Sequence, residues 1–410
     1  MHCRVCNRSI NPFMSFGLMP IANGFISPDK VDSDTYRYEL QVASCAGCRA
    51  FQLIDQPPPD LMFHERYAFF SQTSRVMEHH FQTFADTACV RWIANRADAF
   101  VVELGSNDGI MLRHFAARGL RHLGIEPSAN VAAVAKAQGL QTLCAFFDAA
   151  TAVRIRDEHG LADLVVAANV MCHIGSIRGV AEGLAILLKD DGVLMFEDPY
   201  LGDVIAKTSY DQIYDEHVFL FNLMTVRALF GGVGLEVIDV CPLQTHGGSM
   251  RYVLARAGRY EIAASVAALA EREDSQGLAD DSTYTKFKAS CEKSRSALVK
   301  ILNELKAKGQ RVAGYGATSK GTTVLNYCGI GPDQIGFISD TTPIKQGKLT
   351  PGSHIPVRPP EEFARHYPDF AVLFAWNHKF EILEKERDFL ASGGRFITFV
   401  PDVHIIGSGE

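Results

Sequence analysis

The chain reads as an α/β protein in three parts: a small cysteine-rich module, a Rossmann-like parallel domain and a second, smaller α/β domain. Three observations predict this. Four of the ten cysteines fall within the first 48 residues as two Cys-x-x-Cys pairs. From Ala99 short apolar strands alternate with amphipathic helices, the rhythm of a doubly wound sheet. After a helical stretch from Tyr284 to Lys308, marked on one face by Phe287, Cys291, Leu298, Leu302 and Leu305, that rhythm starts again. At 410 residues the chain is also too long for one ordinary core. The expected boundaries are 1–66, 67–258 and 259–410.

In the first part, Cys3-x-x-Cys6 and Cys45-x-x-Cys48 each have the spacing of a metal knuckle. Two such pairs predict one four-thiolate zinc site, and a closed tetrahedron of thiolates makes that zinc structural. The net charge of −7 and the lack of a basic helix speak against nucleic acid as a partner. "MHCRVCNRSI" has no apolar signal core, and "ADLVVAANVM" is far short of the roughly 20 residues a membrane span needs. The expectation is a soluble, cytoplasmic protein with reduced thiols and no membrane contact. A monomer is compatible with all of this.

The segment from Pro57 to Asn95 reads as loop and then helix, with Val76, Phe81, Phe84, Cys89, Trp92 and Ile93 at helical spacing. His79 and His80 read as surface or core-edge residues. The middle domain then supplies strands at "FVVEL", "RHLGIEPS", "DLVVAANVM" and "GVLMFEDPY". Ligands of such sheets sit outside the carboxyl ends of the strands. There lie Glu103, Gly105, Asn107, Asp108 and Gly109 of "ELGSNDG", Glu126, Asn169 and His173.

"ELGSNDG" lacks the G-x-G-x-x-G of a pyrophosphate site. Glu103 at the strand end would repel a diphosphate and suit a cation. S-adenosylmethionine carries an ammonium and a sulfonium and no phosphate. Glu126, about twenty residues on, is placed to accept from both ribose hydroxyls, as acids do at this position. Phe147 and Asp148 of "CAFFDAA" sit where an adenine needs a ring face and an acceptor. Together these favour S-adenosylmethionine over a dinucleotide.

In the last part "GYGATSKGT" follows a strand and opens a helix without Walker spacing. Its backbone N–H groups, with Tyr315, Ser319 and Lys320, suit a diphosphate, and Lys345 is a further contact. "HGGSMRY" adds His246, Ser249 and Arg251 as substrate contacts. The plainer alternative is that this second unit is scaffold, since a fold does not imply a function.

The succession of two cysteine pairs, "PIANGF", "YAFFSQTS", "ELGSNDG", "ANVMCHI", "YDEHVFLFN", "HGGSMRY" and "GYGATSKG" resembles the nucleotide-sugar C-methyltransferases of bacterial deoxysugar pathways over essentially the whole chain. The resemblance implies a zinc module, a class I methyltransferase domain that binds S-adenosylmethionine, and a C-terminal domain that helps hold a nucleotide-diphosphate keto sugar. The implied reaction is methylation at C-3 of a 4-keto sugar. Carbon becomes a nucleophile there only when a base removes the C-3 proton. The resemblance places that base on His217, with Tyr214 and Glu216 beside it, and points to Tyr67 and His173 as pocket residues. By itself "YDQIYDEHVFLFN" reads as readily as a capped, solvated turn. O- or N-methylation and a non-catalytic zinc and nucleotide scaffold are the competing readings.

Overall fold

A computed structural model of the chain describes residues 1–30, 36–62, 75–96 and 98–407. In the first part, strands β1 (Met14–Pro20), β2 (Arg37–Ser44) and β3 (Phe51–Leu53) form an antiparallel meander whose residues alternate between buried and exposed. A cysteine pair precedes β1 and another follows β2. The two turns are built alike. Asn7 N–H reaches Cys3 O and Arg49 N–H reaches Cys45 O, both at 2.9 Å. Cys3 N–H then closes on Arg8 O at 2.8 Å and Cys45 N–H on Ala50 O at 3.0 Å. Asn7 and Arg49 both take positive φ, as the sharp exit from each knuckle requires.

The middle domain contributes β4 (Phe100–Leu104), β5 (Arg121–Ile125), β6 (Thr142–Leu143), β7 (Ala162–Ala168) and β8 (Leu188–Pro199), all parallel. The next strand in the chain, β9 (Phe219–Leu220), pairs with β3 instead and so becomes the fourth strand of the zinc module's sheet. β10 (Leu235–Leu243) and β11 (Ser249–Arg256) add an antiparallel edge, in the sheet order β10-β11-β8-β7-β4-β5-β6. The motif "HGGSMRY" is therefore a short turn running into a paired strand.

The 27-residue helix Asp281–Ala307 leads to the last domain. Its buried face includes the five residues expected and adds Tyr284 and Ser294. β12 (Val312–Tyr315), β13 (Ile338–Ser339), β14 (Val357–Arg358), β15 (Phe370–Leu373) and β16 (Arg395–Thr398) are parallel, and β17 (His404–Ile406) closes the edge antiparallel.

Cores cross the part boundaries. Cys3, Val5, Ile10, Cys45 and Cys48 belong to the same buried cluster as Leu104, Ile125, Val165 and Leu184 of the middle domain. Phe16, Leu40 and Leu53 of the zinc module's sheet belong instead to the cluster of Phe287, Leu298, Val324 and Ile338. The small module thus wedges its metal end into one α/β domain and its sheet into the other. Among the described residues no helix is long and apolar enough to cross a membrane.

Candidate active site

The four cysteines of the knuckles converge. Cys3 Sγ lies 3.5 Å from Cys48 Sγ, and Cys6 Sγ lies 3.4 Å from Cys45 Sγ. All four sulfurs are within 4.8 Å of one another and none is in a disulfide. Thiolates around a zinc at ~2.3 Å stand about 3.8 Å apart, so the set fits one tetrahedral ion after a small relaxation. Gln52 Nε2–H donates to Cys3 Sγ at 3.1 Å and Gly47 N–H to Cys45 Sγ at 3.4 Å, the outer bonds such a site needs.

At the ends of β4, β5 and β7 a cavity of about 700 Å³ opens, with walls from all three parts of the chain. Gly105 has φ +62°, and a Cβ there would stand 2.3 Å from Val170 Cγ2, so the loop passes close under the strand end only with glycine. Glu126 takes backbone N–H groups on both oxygens, from Asn107 at 3.0 Å and Ser128 at 2.8 Å. That fixes the carboxylate and leaves each oxygen a lone pair for a ribose hydroxyl. Phe147 and Asp148 line the same wall, and Asp148 also caps the helix Ala149–His159 through Thr151 N–H at 2.7 Å. Asn169, at positive φ, donates its Nδ2–H to His246 Nε2 at 3.1 Å. Glu103 is buried behind the loop and does not line the cavity. Burial, and then Asp108 and Glu126, push its carboxyl well above the usual range. Asp108 and Gly109 are also outside the lining, and Gly109 packs against Leu140.

The stretch "YDQIYDEHVFLFN" is not a solvated turn. All thirteen residues from Tyr210 to Asn222 are buried, three carboxyls and a histidine among them. Each buried polar group is met from another part of the chain. Asp211 accepts from Trp376 Nε1–H at 2.7 Å, Asp215 from Ala22 N–H at 2.9 Å, and Ile213 O from Thr323 at 2.8 Å. His217 Nδ1 lies 2.7 Å from Gln212 O, which only accepts, so Nδ1 carries the proton. Nε2 is then a lone pair, and Tyr214 O–H donates to it at 3.0 Å. His173 stacks on His217 at 5.4 Å. Burial first, then His173 and Lys320, hold His217 well below 6.5. Burial pushes His173 down to about 4 and raises Glu216 to about 7.

From the last domain, Ser319, Lys320 and Lys345 reach the cavity at the start of the helix Ser319–Cys328, which Thr318 caps. Lys320 Nζ donates to His246 O at 3.4 Å, and burial lowers it to about 8. Lys345 Nζ donates to Ala317 O at 2.9 Å. Of the expected site residues, Tyr214, Glu216, His217, His173, Gly105, Asn107, Glu126, Phe147, Asp148, Asn169, His246, Ser319, Lys320 and Lys345 line this one cavity. Ser249, Arg251 and Tyr315 do not. Ser249 bonds Thr245 O, Tyr315 bonds Glu386, and Arg251 is held in a buried pair with Glu197 at 2.6 Å, over the Phe84 ring. Tyr67 lies outside the described residues. Residues not foreseen also reach the cavity, chiefly Asn23, Phe146 and His378. The doubled aromatic of "AFFD" was the available signal for Phe146. His80, expected at a core edge, bonds Glu197 at 2.5 Å.

Three family profiles match the chain in tandem: a domain described as zinc binding over 3–63, a methyltransferase domain over 70–240 and a C-methyltransferase C-terminal domain over 244–401. The C-methyltransferase NovU of Streptomyces niveus is 37% identical over 409 residues, covering 99% of this chain and 97% of that one. Among solved structures, magnesium protoporphyrin IX methyltransferase of Synechocystis PCC 6803 aligns with a TM-score of 0.35 at 17% identity, over 45% of this chain and 89% of that one. A methyltransferase of Clostridium acetobutylicum aligns at 0.34 and 11%, over 44% and 92%. Likeness of that depth says nothing of the chemistry.

Proposed function

This chain belongs to the C-methyltransferase family, a zinc-binding, S-adenosylmethionine-dependent group, and on that premise we propose that it methylates C-3 of a nucleotide-diphosphate 4-keto sugar. The observation that carries the reading is the neutral, oriented imidazole of His217 on the wall of the cofactor cavity. When bound, S-adenosylmethionine supplies an electrophilic methyl on a sulfonium. Gly105, Asn107, Glu126, Phe147, Asp148 and Asn169 are the residues to hold it. Lys320, Lys345 and the helix start at Ser319 suit the diphosphate.

The chain's own contribution is the proton. The C-3 hydrogen beside a ketone is acidic enough for a positioned base, and removing it leaves its electron pair in an enolate. His217 Nε2 takes that proton, and its Nδ1–H on Gln212 O steadies the imidazolium that results. Tyr214 O–H, released from Nε2, can donate to an oxygen of the substrate. A buried base with a low pKa gains strength only next to stabilised oxyanion charge, which donors in a dry site supply. A second reading gives the proton to Glu216, which burial places at about 7, close to the ideal for a base at neutral pH.

A screen of keto sugar nucleotides with S-adenosylmethionine, read by mass spectrometry and NMR, tests the substrate class. No turnover of any of them, or a methyl found on oxygen, sinks it. Solvent deuterium exchange at C-3 without methyl donor separates the two bases. His217→Asn should abolish exchange while Glu216→Gln retains it, and the reverse pattern makes Glu216 the base.

A further inference from the structure

Asn23, in the turn after β1, stands where the three parts of the chain meet. Its Nδ2–H donates to Glu216 Oε1 at 2.6 Å, and Ser319 O–H donates to its Oδ1 at 2.8 Å. The chemistry of the partners settles the amide's orientation. A carboxylate only accepts, so the NH₂ end faces Glu216, and the oxygen is left for the Ser319 hydroxyl. The backbone beside it is held from the same two directions. Ala22 N–H donates to Asp215 at 2.9 Å, and Thr322 O–H donates to Ala22 O at 2.9 Å. One residue of the zinc module therefore touches both the buried loop of the middle domain and the first turn of the last domain's helix.

The geometry points to Asn23 as a positioning residue that holds Glu216 as a carboxylate facing the cavity and, through Ser319, ties that posture to the seating of the C-terminal domain. The inference rests on the reading of Glu216 and His217 given above. Glu216 has other charged or titratable neighbours: Asp215 beside it, Tyr38 on β2, Cys172 after β7 and Lys345 from the last domain. Burial raises the Glu216 carboxyl, and the Asn23 amide and the Lys345 ammonium are what oppose that rise. Removing the amide leaves Lys345 alone to favour the charged form. Whether Glu216 takes the proton or orients the sugar, it must be ionised to accept a hydrogen, so the acid limb of the rate follows it.

The test is the pH–rate profile of the zinc-replete enzyme on the keto sugar nucleotide turned over in the screen, for wild type, Asn23→Ala, Ser319→Ala and Glu216→Gln. Cofactor affinity and melting temperature are measured alongside. Asn23→Ala should lower kcat roughly ten- to a hundredfold, the worth of one hydrogen bond to a charged group. Its acid limb should move to higher pH, with cofactor affinity unchanged. Ser319→Ala frees the amide to turn and should move the limb the same way by less. Asn23→Ala with native kcat and a native limb, while Glu216→Gln is inactive, overturns the inference alone. If Asn23→Ala does not fold, Ser319→Ala decides, and a limb left in place overturns it. A fully active Glu216→Gln sinks the reading beneath it.

Discussion

At His217 the function turns on which nitrogen keeps its proton. The Gln212 carbonyl at 2.7 Å commits Nδ1, and the Tyr214 hydroxyl at 3.0 Å marks Nε2 as the acceptor. His217→Asn can still donate to Gln212 O yet has no base to offer. We expect it to lose about a hundredfold or more in kcat, the usual share of a general base, while cofactor affinity measured by calorimetry stays native. Near-native turnover would remove His217 from the chemistry. The pH dependence carries a sign that separates neighbours. His217 is depressed well below 6.5, so it is already neutral at pH 6 and contributes no loss of activity there. Glu216 is raised to about 7, so its carboxylate form is lost as pH falls through about 7. Activity should therefore decline on the acid side with a midpoint near 7. A limb at the ordinary carboxylate range, near ~4, would mean that Glu216 is not the group being titrated.

At the scale of elements, the first surprise is β11. Arg251 and Glu197 are direct cross-strand partners on β11 and β8, and the guanidinium takes two bonds to one carboxylate oxygen, at 2.6 and 2.9 Å. His80, on the helix Arg75–Ala88, completes the group from above. Arg251 read in sequence as a substrate contact because a lone arginine after two glycines looks like a loop ligand. Its partner is 54 positions away, and periodicity says nothing of such distances. Arg251→Leu should leave a buried, half-paired carboxylate and cost about 3–5 kcal/mol in denaturant unfolding. A loss below 1 kcal/mol would show that water reaches Glu197 in its place. What was legible follows the same logic. The central strands, the glycine loop and the cysteine pairs are local patterns, and each stood in the sequence as a run or a spacing. The burial of thirteen residues around His217, the partnership of Asn23 and Glu216 across 193 positions, and a two-residue β9 lent to another sheet are products of packing. Nothing local announces them.

Across the whole molecule, the zinc module is the piece through which the two α/β domains are registered on each other. Gln52 donates to Cys3 Sγ at one end of its side chain and accepts Arg4 N–H at the other, and on β3 it pairs with Phe219 of β9, two residues after His217. Gln56 donates to His173 O at 3.1 Å, and Ala22 N–H reaches Asp215. A closed four-thiolate site contributes folding energy outright, so its loss should be felt first in the elements it anchors. Those elements are β3, β9 and the loop that carries the base, whereas Gly105, Glu126 and Asp148 belong to the parallel sheet and its loops. Metal analysis should find one zinc per chain. Stripping it with a chelator, or Cys45→Ser, should abolish turnover while calorimetry still detects S-adenosylmethionine binding by the middle domain. The knuckles share that domain's core, so binding should weaken without vanishing. If cofactor binding and the main unfolding transition disappeared together with the metal, the parallel sheet could not stand without the module, and zinc would be a condition of the whole fold and not a selective support for the catalytic loop.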